Sequence, residues 1–236
     1  SAHLPLHNTG VPVDILWFRL SRHEGEPENA LGNINFGSFF ILINRGDYYQ
    51  CGFIIAKDTF ATRVQPAGLE AFRESLVRLV PFLSDRVNEI TSWDQLKLLS
   101  IQVNRLTRWH SPGLLCIGDA AHAMSPVGGI GINIALQDAV ATANILGEAL
   151  RSNALTIHHL HQLQHYRERA VHNTQRVQVF AHRMLIRVLQ STGPVTPPLL
   201  LRILTHVPGF QYLTGRFVGM GLQPQHIQPL ASQAQG

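Results

Sequence analysis

The hydrophobic pattern opens with strand-like periodicity. Val13 to Ser21 reads VDILWFRLS, dense in β-branched and aromatic residues, and Glu24-Gly25-Glu26-Pro27 breaks it, which predicts a strand and a turn. Phe36 to Asn44 and Tyr48 to Ala56 predict two more strands, joined as a hairpin at Arg45-Gly46-Asp47. Three antiparallel strands in a row follow from this. The period then changes: Pro66 opens a helix in which Leu69, Phe72, Leu76 and Leu79 or Val80 share one face, and Pro81 ends it. A shorter helical piece to Ile90 and a longer strand from Gln95 to Leu106 lead to a turn at Arg108-Trp109-His110-Ser111-Pro112-Gly113.

The next apolar run, Leu114 to Ile117, is too short for a helix and is bounded by Pro112-Gly113 and Gly118, so it predicts a short buried strand. A helix from about Ile132 to about Leu150 follows, then a long one from about Thr156 to Gln190 that Gly193-Pro194 stops. Pro197-Pro198 begins another, ending near Gly209, and the Gln-, Pro- and Ala-rich stretch from Gln223 predicts a loose tail. No internal repeat is visible.

The most informative segment is Leu114-Leu115-Cys116-Ile117-Gly118-Asp119-Ala120-Ala121-His122-Ala123-Met124-Ser125-Pro126-Val127-Gly128-Gly129-Ile130-Gly131-Ile132-Asn133. A strand delivers Asp119 to its carboxyl end, the edge at which mixed sheets bind ligands, and a carboxylate there can accept hydrogen bonds from sugar-alcohol hydroxyls. Pro126 stiffens the loop, while Gly128, Gly129 and Gly131 let backbone approach something flat. The helix that follows begins with free N–H groups and about half a positive charge, which favours an anion or an electron-rich carbonyl. Each element alone is often no more than helix capping. The whole string, in order and spacing, resembles the second FAD-binding motif of the flavoprotein monooxygenases typified by para-hydroxybenzoate hydroxylase, in which Gly-Asp-Ala-Ala-His is followed by Pro, Gly-x-Gly and Asn.

The resemblance implies specific roles. In that family the aspartate contacts the ribitol chain of FAD and the glycine loop lies beside the isoalloxazine, with helix-start N–H groups near N1. Carried over, Asp119 with Gly118 contacts the ribitol, and Pro126, Gly128, Gly129, Gly131, Ile132 and Asn133 contact the flavin edge. The implied fold class is α+β (α/β): an antiparallel substrate-domain sheet with helices over residues 11–107, the returning strand, loop and helix of an FAD-binding domain over 108–150, C-terminal helices over 151–222, and a flexible tail over 223–236. The implied reaction is NAD(P)H-driven hydroxylation of an aromatic or similarly electron-rich small molecule through a flavin C4a-hydroperoxide, the cofactor carrying the hard step. Phe18, Phe40, Phe53 and Trp17 are apolar candidates for the substrate wall, although alternate residues of a strand face opposite ways. No catalytic residue is assigned. His122 reads as a structural hydrogen-bonder rather than a general base.

Composition and charge narrow the alternatives. With 236 residues, 45% of them hydrophobic, the chain can bury a sizeable core. It has no run of eighteen apolar residues and no secretory signal pattern, so neither membrane insertion nor export is expected, and two cysteines, Cys51 and Cys116, fit a reducing, cytoplasmic setting. The net charge of +4 is uneven: after residue 150 there are eight arginines and one acid, Glu168, a net +7, which leaves −3 for the first 150 residues. Arg169, Arg176 and Arg183 recur every seven residues, Arg187 follows one helical turn later, and the four read as a solvated helix face. No aromatic residues interleave with them, which argues against nucleic acid. His158, His161 and His165 share a helix face, but no thiolate accompanies them and no metal is expected.

Neither G-x-G-x-x-G nor the family's Asp-Gly segment occurs in the chain. The expectation is therefore the C-terminal portion of a longer flavoenzyme, inactive in isolation and prone to self-association or to binding an N-terminal FAD-binding portion, against which the small residues Ala135, Ala139 and Ala143 would pack. Two other readings remain open: a flavin reductase or halogenase with the same motif, and a non-catalytic interaction module that does not retain FAD.

Overall fold

The computed structural model describes residues 3–28, 31–35, 37–126, 129–190, 209, 212, 215–216 and 219–228. In chain order its strands are β1 (Leu6–Asn8), β2 (Val13–Ser21), β3 (Leu31–Asn35), β4 (Ser38–Asn44), β5 (Tyr48–Ala56), β6 (Lys97–Leu99), β7 (Asn104–Leu106), β8 (His110–Ser111) and β9 (Leu114–Leu115). Its α-helices are α1 (Leu69–Leu79), α2 (Gly131–Arg151) and α3 (Ile157–Leu189). The chain divides into two compact units, one of Val11–Ile101 with Phe180–Pro198, the other of Ser1–Gly10, Gln102–Val179 and Leu199–Gly236. The helix expected from Pro197 to Gly209 lies almost wholly outside the described residues.

The first unit is built on a five-stranded antiparallel sheet in the order β3-β4-β5-β2-β6. Register decides which side chains meet: Leu16 stands opposite Phe53, Phe18 opposite Cys51 and Leu20 opposite Tyr49, while Phe40 and Leu42 face Phe53 and Cys51 from β4. This face packs against Phe72, Leu76 and Leu79 of α1 and Leu83 beyond it. The Phe72 ring lies edge-on to Phe53 at 5.3 Å and to Phe18 at 5.7 Å. Phe18, Phe40 and Phe53 therefore belong to the core beneath α1, and three of the four expected wall residues are withdrawn from any ligand. Trp17, one residue out of phase, lies on the other face. There a Cβ on Gly52 would meet its indole at 3.0 Å, tighter than ordinary contact, so any larger residue would have to displace the ring.

Two strand expectations are corrected here. The strand expected at Phe36 to Asn44 begins at Ser38, behind a turn at Gly37 (φ +70°), and pairs with β3, which the polar Leu31-Gly-Asn-Ile-Asn pattern conceals. The single strand expected from Gln95 to Leu106 is two: β6 pairs with β2 in the first unit and β7 pairs with β1 in the second, because the chain changes unit between Ile101 and Gln102.

In the second unit, Trp109, Ala121, Ile130, Ile134 and Val171 form one apolar cluster, and Ala141, Leu146, Leu160 and Leu163 another. Glutamines on one face of α3 tie its packing to backbone. Gln164 accepts the Trp109 N–H at 2.9 Å and donates to the Thr107 carbonyl at 2.9 Å. Gln175 donates to the Asn104 and Ala123 carbonyls, and Gln178 accepts the Ser125 N–H at 3.1 Å and donates to its carbonyl at 2.9 Å. Arg169, Arg176, Arg183 and Arg187 are all exposed. Residues 223–228 form neither helix nor strand, and their backbone bonds to Asn144 of α2 and Arg167 of α3.

Candidate cofactor site

The site grows from a short hairpin. Gly113, at φ +76°, turns β8 into β9, and the Cys116 N–H donates to the Trp109 carbonyl at 2.8 Å to extend the ladder. The strand expected to be buried over residues 114–117 is paired only at Leu114–Leu115, and Leu114 is exposed while Cys116 and Ile117 are half-buried. A strand is buried only when neighbours flank it, and among the described residues β9 has β8 alone.

Extended Ile117 feeds a 3₁₀ turn over Gly118–Ala120. Gly118 adopts φ +57°, and a Cβ there would stand 3.0 Å from the Ala135 Cβ, so backbone conformation and the closeness of α2 both demand glycine. The turn thus lies directly on α2. Asp119, the next residue, points its side chain to solvent, and among the described residues its carboxylate accepts no hydrogen bond from the protein.

The loop that follows returns to the same helix. Pro126 is exposed and its carbonyl accepts the Gly129 N–H at 3.0 Å; Gly128 lies outside the described residues. Gly129 has φ +65° and open space where a Cβ would stand. Gly131 begins α2, and a Cβ there would crowd Met124 at 3.3 Å. Ile132 is 70% exposed and Asn133 half-buried. The first intrahelical bond runs from the Ile134 N–H to the Ile130 carbonyl at 3.2 Å, so the N–H groups of Gly131 and Ile132 have no carbonyl of their own helix to donate to. Their aggregate is the positive end of a 21-residue helix.

Beneath the turn lies a buried charged network that the sequence reading did not identify. Asp138 of α2 accepts the Gly118 N–H at 3.0 Å and His122 Nε2 at 2.6 Å on one carboxylate oxygen, and Arg167 Nε of α3 at 2.8 Å on the other. His122, Asp138 and Arg167 are all at most 1% exposed. Burial works to raise the Asp138 carboxyl, but hydrogen bonds and charge from His122 and Arg167 outweigh it and hold it below the ordinary carboxylate range. An ionised Asp138 only accepts, so His122 Nε2 carries the proton. Arg167 also donates to Gln137 Oε1 at 3.2 Å. A lone acid inside the apolar run of α2 was the available signal for Asp138. Nothing in the sequence distinguishes buried Arg167 from the exposed arginines that follow it.

These residues fit FAD in the chemistry of their donor set. An exposed, unengaged carboxylate at the strand end suits ribityl hydroxyls, and free N–H groups at a helix start beside an open left-handed glycine suit the electron-rich edge of a flat ring. The FAD binding domain family matches residues 28–179, well over half of the sequence. The chain belongs to this FAD binding domain family. FAD is the family's cofactor. The chain is similar to 6-methylpretetramide 4-monooxygenase of Streptomyces rimosus, 32% identical over 150 residues that cover 63% of the chain and 36% of that enzyme. It is also similar to kynurenine 3-monooxygenase of Stenotrophomonas maltophilia, 39% identical over 93 residues, 39% of the chain and 20% of that enzyme. Its fold is similar to a probable FAD-dependent monooxygenase of Pseudomonas aeruginosa (TM-score 0.62, 19% identity, 78% of this chain and 52% of that one). The anhydrotetracycline hydroxylase of Streptomyces rimosus shares the fold too (TM-score 0.61, 19% identity, 98% of this chain and 44% of that one). This chain thus spans about a third of its first curated relative and about half of these solved structures.

Proposed function

We propose that this chain supplies the ribityl- and flavin-edge contacts of an FAD-dependent, NAD(P)H-driven monooxygenase that hydroxylates an aromatic or similarly electron-rich small molecule. The observation that carries the reading is the placement of the exposed Asp119 turn directly on α2, where the N–H groups of Gly131 and Ile132 have no carbonyl of their own helix to donate to. Bound FAD would supply the redox chemistry that activates dioxygen. Asp119 would accept hydrogen bonds from the ribityl hydroxyls, and the backbone N–H groups of Gly131 and Ile132 would meet negative charge at the flavin edge, which favours the reduced state. Gly129 lets the ring lie close. Pro126 and Asn133 would complete the edge contacts, a role the motif also assigns to Gly128, outside the described residues, and Gly118 allows the turn itself.

The curated relatives named for 6-methylpretetramide and kynurenine support an aromatic substrate. On the first unit, the sheet face opposite α1 carries half-buried Trp17, Phe39 and Ile41 and is suited to a planar molecule. Labelled dioxygen separates hydroxylation from flavin reductase or halogenase chemistry: the label enters the product only in the first case. Replacing Asp119 by Ala in the holoprotein should lower FAD retention, and unchanged flavin content with unchanged reduction would overturn the assignment.

A further inference from the structure

We propose that Asp138 is a positioning residue for the cofactor site: its carboxylate fixes the Asp119 turn against the start of α2 and so sets affinity for FAD through Asp119. The inference rests on the reading of residues 118–133 as the FAD site. Asp138 touches no ligand-facing surface, being wholly buried, so it acts through what it holds. It holds three chain segments at once. One carboxylate oxygen receives the N–H of Gly118, the residue immediately before Asp119, and the ring of His122 just after the turn; the other receives Arg167 from α3. Ala135, one helical turn before Asp138 on the same face of α2, supplies the second restraint by its contact beneath Gly118. The turn is therefore fastened at two points to the helix that begins with the Gly131 and Ile132 N–H groups. The carboxylate that would read the ribityl chain and the donors that would read the ring are held in one register before any ligand arrives.

The network is built to keep that register. Three donors converge on the two Asp138 oxygens, an arrangement that favours the ionised carboxylate, and Arg167 both supplies the countercharge and satisfies the second oxygen. His122 completes the set by donating from Nε2, its ring lying 5.1 Å from the Trp109 indole. Asp138→Asn keeps the volume but removes the charge and turns one acceptor into a donor, which opposes either Gly118 N–H and His122 or Arg167.

The test is a double-mutant cycle on FAD affinity, measured by flavin absorbance on holoprotein stripped of and titrated with FAD, with Asp119→Asn, Asp138→Asn and the double variant. Loss of a charge-assisted bond predicts that Asp138→Asn weakens FAD about tenfold in the Asp119 background. It should weaken FAD by less than about twofold once Asp119 is already Asn. Tenfold effects that add would mean that Asp138 acts generally on the fold, and an Asp138→Asn protein with wild-type affinity would overturn the proposal while leaving the site reading intact. No effect of Asp119→Asn overturns both. If Asp138→Asn does not fold, amide exchange of the wild type decides: the Gly118 N–H should be protected without FAD, and exchange at the rate of an open loop contradicts a preformed turn.

Discussion

Asp119 and Asp138 are both acids in the motif region, yet their surroundings give them opposite work. Asp119 is exposed and, among the described residues, accepts nothing from the protein, whereas Asp138 is buried and fully engaged. Asp119 was legible because the resemblance names it; Asp138 was not, because its role depends on where α3 brings Arg167. His110 shows a further effect that only packing reveals. Its ring is 1% exposed, lies edge-on to His161 at 4.5 Å, and neither nitrogen finds a hydrogen-bond partner among the described residues. Burial, aided by the nearby His161 and Arg108, pushes its imidazole below the ordinary histidine value. The unfolded chain then takes up this proton first as pH falls, so stability should decline as pH drops below about 6.5. His110→Phe keeps a ring and removes the titration. Thermal melts from neutral to mildly acidic pH should show a flatter dependence for this variant, and an unchanged slope would assign the effect to other groups.

At the scale of elements, hydrophobic period located α1, α2 and α3 and the β2, β4 and β5 strands, because each buries one face on a core large enough to leave a pattern. It failed where an element depends on distant partners. β3 is polar and owes its place to pairing with β4; β6 and β7 looked continuous and serve different units. Aromatic content marked Phe18, Phe40 and Phe53 as interesting, but strand phase alone assigns them to the α1 side and Trp17 to the other. The glutamine face of α3 was likewise invisible, since an amide reading backbone looks like any polar helix residue. Gln164→Leu should cost about 1–3 kcal/mol of unfolding free energy, because it removes the partners of the Trp109 N–H and the Thr107 carbonyl. Denaturant unfolding measures this, and a change within about 0.5 kcal/mol would show that water replaces the amide.

For the whole molecule, family membership rests on a match over residues 28–179, while the neighbours' low identity speaks for the fold alone. Among the described residues no helix is long and apolar enough to cross a membrane. Along α2, Ile132, Leu136, Ala139 and Ala143 are exposed, whereas Ala135 is the small residue that receives Gly118. The small-residue pattern was legible, but its assignment to an inner turn at Ala135 required the structure. The central claim is that the Asp119 turn and the start of α2 form one FAD-reading surface. FAD titration of wild-type and Asp119→Ala holoprotein, each first stripped of flavin, tests it most directly. The account predicts a dissociation constant raised about tenfold or more by the loss of a charge-assisted acceptor, with the melting temperature of the flavin-free protein unchanged. Equal affinity in the two proteins would contradict it.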